Sequence, residues 1–439
     1  MHDALDPSDI FWDEVDQRRE TGHDVDAVVA RARALDPEDP STAGSLLSLA
    51  DALGDVPRDP AWPYEEPDAL EDIVATLPAA AGPDRPGEAA VEEAIGAAWL
   101  GRIAGCNLGK PVEMGTHWTA AHLKEYLELA DAYPLRDYVP VLDPMPEGFE
   151  LRENWPETTL GNVDGSARDD DIDYPILGLH LLETHGRSLT PGHVADAWLS
   201  LLPFQQVYTA ERAAYRNLVH GLPLEQVPTH HNPYREWIGA QIRGDVFGWT
   251  HPGDPRAAAL LAYQDASLSH TGNGVYGEMW AAALLACAFT ADSARAALEA
   301  SLLHVPPRSR LAEVVRDVLD QHTEGITWEE SLARIQASYG HYSWVHTLNN
   351  AALVTAALLW GEGDYTRTVG LTVMGGWDTD SNAATTGSVA GVLLGRGGLA
   401  PHLVDPLHDR TRSALFGFDD SRISDLAART CRLALGGLD

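Results

Sequence analysis

Apolar residues recur at helical spacing along most of the chain, in alanine- and leucine-rich stretches of helix length. In several stretches they cover much of the helix circumference, which is typical of helices buried inside a bundle. Period-two alternation bounded by turns is nearly absent. The pattern therefore predicts an all-α fold, a compact helical bundle. Examples of the predicted helices are Val91–Ala104, Tyr174–Thr184, Gly277–Thr290, Ser293–Leu303, Leu311–Gln321, Asn349–Leu359 and Ala383–Leu394.

The first part of the chain has a different pattern, with short helices separated by proline and aspartate. Asp24–Leu35 and Ser45–Leu53 carry apolar residues at helical spacing, and another helix begins near Pro67. A proline- and glycine-rich stretch, Pro78–Glu88, follows and is the best candidate boundary. We therefore predict an N-terminal helical extension with its hinge over residues 1–88 and a main domain over residues 89–439.

One long segment of the main domain shows no periodicity. Tyr133–Asp164 is rich in proline, aspartate, glutamate and asparagine. We predict a surface excursion, which in a compact domain is often functional when it borders a site.

Charge and composition exclude several classes of protein. The formal net charge is −36, from 66 acidic and 30 basic residues, and lysine occurs only at Lys110 and Lys124. Such a surface repels phosphate backbones, so we expect no nucleic-acid partner.

No apolar run is long enough to span a membrane, and the start lacks a basic segment followed by an apolar one, so we expect a cytoplasmic protein. The three cysteines are too far apart for a disulfide framework or a structural zinc site. Oligomeric state stays open.

Three adjacent aspartates, Asp169, Asp170 and Asp171, run directly into an apolar helix. The partial positive charge of a helix N-terminus can orient carboxylates, and a bound dication would cancel the remaining repulsion between them. Taken alone, the cluster also fits an ordinary acidic helix cap.

A second oxygen-rich cluster opens another buried helix, where Gly375-Gly376-Trp377 leads into Asp378, Asp380 and Ser381. Carboxylate and hydroxyl oxygens are ligands for a hard cation such as Mg²⁺ or Mn²⁺. One such segment also occurs in ordinary turns, but two clusters that both open buried helices indicate a shared site. Carboxylates from both could bridge two divalent ions that position an attacking water.

A glycine-rich helix precedes both clusters. Gly96, Gly101 and Gly105 are spaced for close helix–helix packing. Gly109-Lys110-Pro111 is expected to end the helix and leave Glu113 just beyond a rigid turn. Glu113 is then either a general base or the salt-bridge partner of Lys110.

Two further segments precede buried helices. In the first, His270, Gly274 and Tyr276 either line a sugar or base pocket, with loop N–H groups facing phosphate, or form an ordinary helix start. In the second, Asn349 either binds substrate through its amide or caps the helix.

The three main segments, in this order, resemble the ADP-ribosylglycohydrolase family: a GDxxGxPxE-like helix end, then TDDT, then GGDTDT. The resemblance spans roughly residues 89–400. It departs from the family pattern at four positions. Cys106 stands in place of the aspartate of GD, Asp169 and Ile172 replace the two threonines of TDDT, and Trp377 is inserted before the last motif.

The resemblance implies an all-α fold around a binuclear site for two divalent cations, Mg²⁺ or Mn²⁺. Glu113 matches the family's glutamate and is expected to be the general base, with Asp171 as its competitor. His270, Gly274, Tyr276 and Asn349 are expected to contact substrate. The metal ligands expected from the match are Asp169, Asp170, Asp171, Asp378, Asp380 and Ser381.

The function implied is metal-dependent hydrolysis of an N-glycosidic bond in an ADP-ribosylated protein or small molecule. Two alternatives stay open. The substrate could be another N-ribosyl metabolite, such as a nucleoside or nucleotide. The chain could instead be a catalytically silent binding or structural member of the same fold.

Overall fold

The protein is described by a computed structural model that covers residues 2–36, 38–79 and 82–437. Helices joined by loops make up the described chain, with a single short antiparallel pair of strands among the described residues. The predicted all-α fold is confirmed. Across the described ranges, no helix has the length and apolar content needed to cross a membrane.

The N-terminal helices are α1 (Pro7–Glu20), α2 (Asp26–Arg33), α3 (Thr42–Gly54) and α4 (Leu70–Thr76). The first half of the main domain contains α5 (Glu88–Gly109), α6 (Ala120–Leu129), α7 (Trp155–Thr158), α8 (Asp170–His185), α9 (Pro191–Leu201), α10 (Thr209–Val219), α11 (Asp245–Trp249) and α12 (Pro255–Ala266). The second half contains α13 (Gly272–Ala288), α14 (Ala294–Ser301), α15 (Arg310–Thr323), α16 (Trp328–Tyr339), α17 (Thr347–Trp360), α18 (Tyr365–Met374), α19 (Thr379–Leu394), α20 (Pro401–Val404), β1 (Arg410–Thr411), β2 (Ser421–Arg422) and α21 (Ile423–Gly436). Short 3-10 helices cover Lys110–Val112, Gly186–Ser188, Phe204–Gln206, Gln241–Arg243, Leu302–His304, Arg396–Gly398 and Asp405–Leu407.

Helical periodicity located the seven named bundle helices within about five residues of their observed ends, whereas α12 (Pro255–Ala266), α16 (Trp328–Tyr339) and α21 (Ile423–Gly436) were not among them. The largest extension is in α5, which continues to Gly109 where Val91–Ala104 was predicted. The non-periodic segment 133–164 contains only the single turn α7. It is not wholly on the surface, because Tyr138 and Val139 are buried in the main core and tie the excursion to the bundle.

Helices α5 and α19 pack against each other through small residues spaced four apart on each helix. A Cβ atom on Gly105 would overlap the carbonyl oxygen of Ala383, and one on Gly101 would overlap that of Gly387. This glycine seam, in order along α5, pairs Ala97 with Gly391, Gly101 with Gly387, Gly105 with Ala383 and Gly109 with Thr379. Since the helices run in opposite directions, the seam places the end of α5 beside the start of α19. The close packing predicted for Gly101 and Gly105 is confirmed.

We expect Gly105→Ala to destabilise the protein by about 1–3 kcal/mol, because the added methyl group meets backbone that cannot move without separating the two helices. Urea unfolding measures this loss. Gly397→Ala is the matched control, since a Cβ there meets no atom within 4 Å. If the two variants are equally stable, the α5–α19 contact can accommodate a methyl group at Gly105 and the seam is not rigid.

The N-terminal helices enclose a small core of their own and also bind the main domain through polar contacts. Ile10, Phe11, Val28 and Leu53 belong to the small core, whereas Ile73 of α4 joins the main core. The docking contacts are Glu14 to Arg235 at 2.5 Å, Gln17 to Glu236 at 2.9 Å, Glu66 to Arg310 at 3.0 Å, Glu66 to Asn273 at 2.8 Å and Asp68 to the N–H of Gly272 at 2.8 Å. The boundary at residue 88 stays a prediction, and Ala80 and Ala81 of the predicted hinge lie outside the described residues.

Two glutamates of α1 are expected to affect stability in opposite ways. Burial and the neighbouring Glu236 raise the pKa of Glu20 to about 8, against the opposing effect of Arg310. Burial also raises the pKa of Glu14, but Arg235 and Arg18 outweigh it and leave this pKa below its usual value. The folded protein therefore favours a protonated Glu20 and an ionised Glu14.

Because folded Glu20 keeps its proton to about pH 8 while the unfolded chain loses it near pH 4.5, the wild type loses stability as pH rises across that window. We expect Glu20→Gln to match the wild type near pH 4.5 and to exceed it by about 2–4 kcal/mol at pH 8.5. Glu14→Gln, the control on the same helix, should lose stability at pH 8.5. Denaturant unfolding at both pH values measures these differences in stability. If Glu20→Gln is less stable than the wild type at pH 8.5, the pKa of Glu20 is not raised in the folded protein.

Candidate functional site

Carboxylates from three distant segments meet where the glycine seam ends. The 3-10 turn after α5 carries Lys110 and leads to Glu113. Asp169 caps α8, and its Oδ1 accepts a hydrogen bond from the backbone N–H of Asp171 at 2.8 Å. Asp378 stands at the N-terminal cap position of α19, so Asp380 lies in the first turn of that helix. Two helix N-termini therefore point carboxylates into one space beside the end of α5.

The potential ligand atoms form two overlapping groups, within each of which all atoms lie within 4.8 Å of one another. We call Cys106, Asp169, Asp171 and Asp380 the inner group. The outer group is Glu113, Asp378 and Asp380. Asp380 is common to both. Carboxylate oxygens at such spacing suit a hard divalent cation.

The structure therefore brings together most of the predicted metal ligands. Asp169, Asp171, Asp378 and Asp380 are in the two groups, and Ser381 donates a hydrogen bond through Oγ to Asp171 Oδ2 at 2.9 Å. Asp170 is half-buried and belongs to neither group. Ligand roles for all six residues stay predictions.

Three basic residues face the carboxylates, and pattern reasoning did not foresee their partners. Fully buried Arg102 lies 3.2 Å from Asp171 and 2.8 Å from Asp245. The ammonium group of Lys110 contacts Asp169. Arg152 lies 3.4 Å from Glu113. Lys110 stands out in the sequence as one of two lysines, but nothing in its local pattern identifies Asp169 as its partner.

Glu113 is therefore paired with Arg152 and not with Lys110, the salt-bridge partner considered from the sequence. Its side chain is 18% exposed, compared with 2% for that of Asp171. Asp171 is fixed by Arg102 on one oxygen and Ser381 on the other. Glu113 is thus the more accessible of the two candidate bases.

The electrostatics of the site favour a bound cation. Burial, offset in part by Arg102 and increased by Asp380, raises the pKa of Asp171 to about 8. Burial and the carboxylates of Asp380 and Glu113 raise the pKa of Asp378 well above its usual value. Burial and Asp380 likewise raise the pKa of Glu113, although Arg152 and Lys110 oppose the shift. The acidic groups exceed the basic ones available to neutralise them, which is the environment that a divalent cation stabilises.

The amide of Asn350 positions the second cluster, while sequence reasoning emphasised its neighbour Asn349. The side-chain oxygen of Asn350 accepts hydrogen bonds from Asn382 at 2.6 Å and from the backbone N–H of Asp378 at 3.4 Å. The Asn349 amide instead donates to the carbonyl of Ser343 at 3.0 Å. A buried amide at the start of α17 thus reaches the turn that carries Asp378.

The other predicted substrate residues lie near the N-terminal extension. Tyr276 donates a hydrogen bond to the carbonyl of Pro67. Gly274 packs so closely that a Cβ there would overlap the carbonyl oxygen of Arg235. The N–H of Gly272, the first residue of α13, donates a hydrogen bond to Asp68 at 2.8 Å. These groups are satisfied by protein atoms, and their substrate roles stay predictions.

His270 is buried beside a cluster of charges. Its Nδ1 lies 2.8 Å from the hydroxyl of Ser269, and its Nε2 lies 3.9 Å from Glu211. Burial and the nearby Arg243 hold the pKa of His270 well below its usual value, so the ring is neutral at pH 7. A neutral imidazole can donate or accept a hydrogen bond but adds no positive charge for a phosphate.

We expect Asp378→Asn to raise the melting temperature in EDTA at pH 8 by about 2 °C or more, because it removes a buried charge from an over-acidic cluster. The same variant should lose the stabilisation that Mn²⁺ gives the wild type. Differential scanning fluorimetry with EDTA and with Mn²⁺ measures both effects.

Asp170→Asn is the matched comparison, because Asp170 lies outside both ligand groups. It should keep most of the Mn²⁺-dependent shift. Loss of that shift in Asp170→Asn would support the predicted ligand role of Asp170, and its full retention in Asp378→Asn would remove Asp378 from the ligand set.

Of the comparisons with known proteins, the match to a family model agrees with the resemblance seen in the motifs. No curated protein matches the chain. A solved structure described as an ADP-ribosylglycohydrolase-related protein complex is 19% identical, covers 78% of this chain and 98% of its own, and has a TM-score of 0.45. The sequence model of the ADP-ribosylglycohydrolase family matches residues 87–435. Because that match covers most of the sequence, the chain belongs to the ADP-ribosylglycohydrolase family.

Proposed function

We propose that the protein is a divalent-cation-dependent glycohydrolase that cleaves the N-glycosidic bond of an ADP-ribosylated protein or small molecule. The observation that carries the proposal is the convergence of carboxylates from α8, α19 and the turn after α5 in one buried site. Family membership supports glycohydrolase chemistry at that site.

The donor set fits a hard cation, since carboxylates and one hydroxyl form most of it. Asp169, Asp171, Asp378, Asp380 and Ser381 are the residues that would hold Mg²⁺ or Mn²⁺, and Asp170 remains a predicted ligand outside both groups. A divalent cation there would supply Lewis acidity toward sugar hydroxyls and water. The family resemblance implies two such cations.

Glu113 is the proposed general base. Arg152 orients its carboxylate, and its partial exposure leaves it accessible to a water beside bound substrate. Glu113 takes a proton from the water that adds to the anomeric carbon. The electron pair of the broken C–N bond leaves with the nitrogen, and the proton that Glu113 took from the water is passed on to this nitrogen. Asp171 is the second candidate, but Arg102 and Ser381 occupy its oxygens.

For substrate contacts we retain the predicted set, His270, Gly274, Tyr276 and Asn349. The hydroxyl of Tyr276 already donates a hydrogen bond to the carbonyl of Pro67 in the N-terminal extension. A substrate that contacts Tyr276 must therefore either contact the extension or displace it. The net charge of −36 supports the expectation of no nucleic-acid partner. A cytoplasmic location remains a prediction.

The direct test is hydrolysis of ADP-ribosyl-arginine, ADP-ribosyl-serine and a panel of simpler N-ribosides, with Mg²⁺ or Mn²⁺ and with EDTA. We expect EDTA-sensitive release from an N-linked ADP-ribosyl substrate. Turnover of the simpler ribosides alone would assign the enzyme to another N-ribosyl metabolite. Cation binding without turnover of any compound would favour a catalytically silent member of the fold.

Substitution of the proposed base separates proton transfer from cation binding. Glu113→Gln should lower kcat by about 10²–10⁴-fold, because the amide cannot accept the proton of the attacking water. Stabilisation by Mn²⁺ should persist, since the aspartates remain. Steady-state kinetics and thermal shift measure the two effects.

Glu153→Gln is the control, because Glu153 is an exposed glutamate next to Arg152 in sequence. It should leave kcat near the wild-type value. If Glu113→Gln also turns over at that rate, Asp171 becomes the preferred base.

A further inference from the structure

We infer that the ammonium group of Lys110 takes the place of one of the two cations, so that the site binds a single divalent ion at Asp378 and Asp380 of the outer group. This inference rests on the proposed function only in assuming that the site binds divalent cations. The inference concerns how many divalent cations the site binds and which carboxylates bind them.

Lys110 is placed within the inner group by the backbone of the fold. It directly follows Gly109, the last residue of α5, whose carbonyl accepts a hydrogen bond from the hydroxyl of Thr379 at 2.8 Å. A Cβ on Gly109 would overlap the carbonyl oxygen of Thr379, so no side chain separates this turn from α19. The backbone of Lys110 is therefore fixed beside the start of the second cluster.

The side chain of Lys110 points into the carboxylates. The residue is only 7% exposed, and its Nζ contacts Asp169 and lies 4.0 Å from Asp380 Oδ2. Both aspartates belong to the inner group. An ammonium is a compact charge with three hydrogen-bond donors, so it can neutralise the oxygens that a metal ion would otherwise share.

A divalent ion coordinated by Asp169 would lie next to this ammonium, and the two positive charges would repel each other in a poorly solvated space. Among the described outer-group carboxylates, Lys110 approaches only the shared Asp380, at 4.0 Å, and its direct contact is with Asp169 of the inner group. Arg152 approaches only Glu113, at 3.4 Å. Asp378 and Asp380 are therefore the carboxylates best placed to bind an ion.

The burial of a lysine is unusual in this chain. Lys110 and Lys124 are its only lysines among 30 basic residues, so nearly every other cationic position is arginine. An ammonium is a compact point charge, as a metal ion is, whereas the guanidinium of an arginine spreads its charge over a planar fork. The residue type at position 110 thus agrees with the role of a built-in cation.

The test is to count the bound ions. Full-length protein is dialysed against excess Mn²⁺, the bound metal is quantified by mass spectrometry, and low-temperature electron paramagnetic resonance reports spin coupling between neighbouring ions. We expect one Mn²⁺ per chain and an uncoupled spectrum. Two ions with a coupled spectrum would overturn the inference and leave the proposed function intact. No bound ion would overturn both.

Lys110→Met removes the charge and keeps much of the side-chain length. We expect this variant to bind a second Mn²⁺ and to show a spin-coupled spectrum, whereas the control Lys124→Met should still bind one. A folded Lys110→Met variant that still binds one ion would overturn the inference. If the variant does not fold, the ion count of the wild type decides the matter.

Discussion

The candidate site depends on how closely the backbones of α5 and α19 approach each other. The glycine seam removes side chains from the contact, so the carbonyl groups of one helix lie against the Cα atoms of the other. This proximity brings the turn with Lys110 and Glu113 to the N-terminus of α19, which carries Asp380. Packed helices do not slide freely, because their contacts are as dense as those in crystals. The geometry of the candidate site therefore depends directly on the packing of α5 against α19.

The cost of burying so many carboxylates explains much of the surrounding architecture. Arg102 links Asp171 to Asp245 in a region without solvent, and Asn350 uses its amide oxygen to fix the turn before α19. These contacts orient the acidic groups but leave part of their charge uncompensated. The contacts of Arg102 and Asn350 thus fix the orientation of the carboxylates from outside the acidic cluster.

The sequence revealed the parts of the fold that depend on local pattern. Helical periodicity identified the bundle, and the acidic motifs at the starts of α8 and α19 identified two sides of the site. The partners of Lys110 and Arg102 could not be found in this way, because they lie far away in sequence and are set by packing. The hydrogen bond from Tyr276 to the carbonyl of Pro67 could not be predicted either, because nothing in the two sequence segments indicates that they meet. Local chemistry was predictable, whereas charge pairing across the bundle was not.

The polar docking of the N-terminal extension has a thermodynamic consequence. Glu14 pairs with Arg235, and Glu66 pairs with Arg310, with all four side chains largely buried. Separating the extension would break these ion pairs together with the hydrogen bonds of Gln17 and Asp68 to the main domain. The extension and the main domain should therefore melt together as one cooperative unit, with a calorimetric enthalpy equal to the van't Hoff enthalpy. A boundary in sequence composition need not be a boundary in folding.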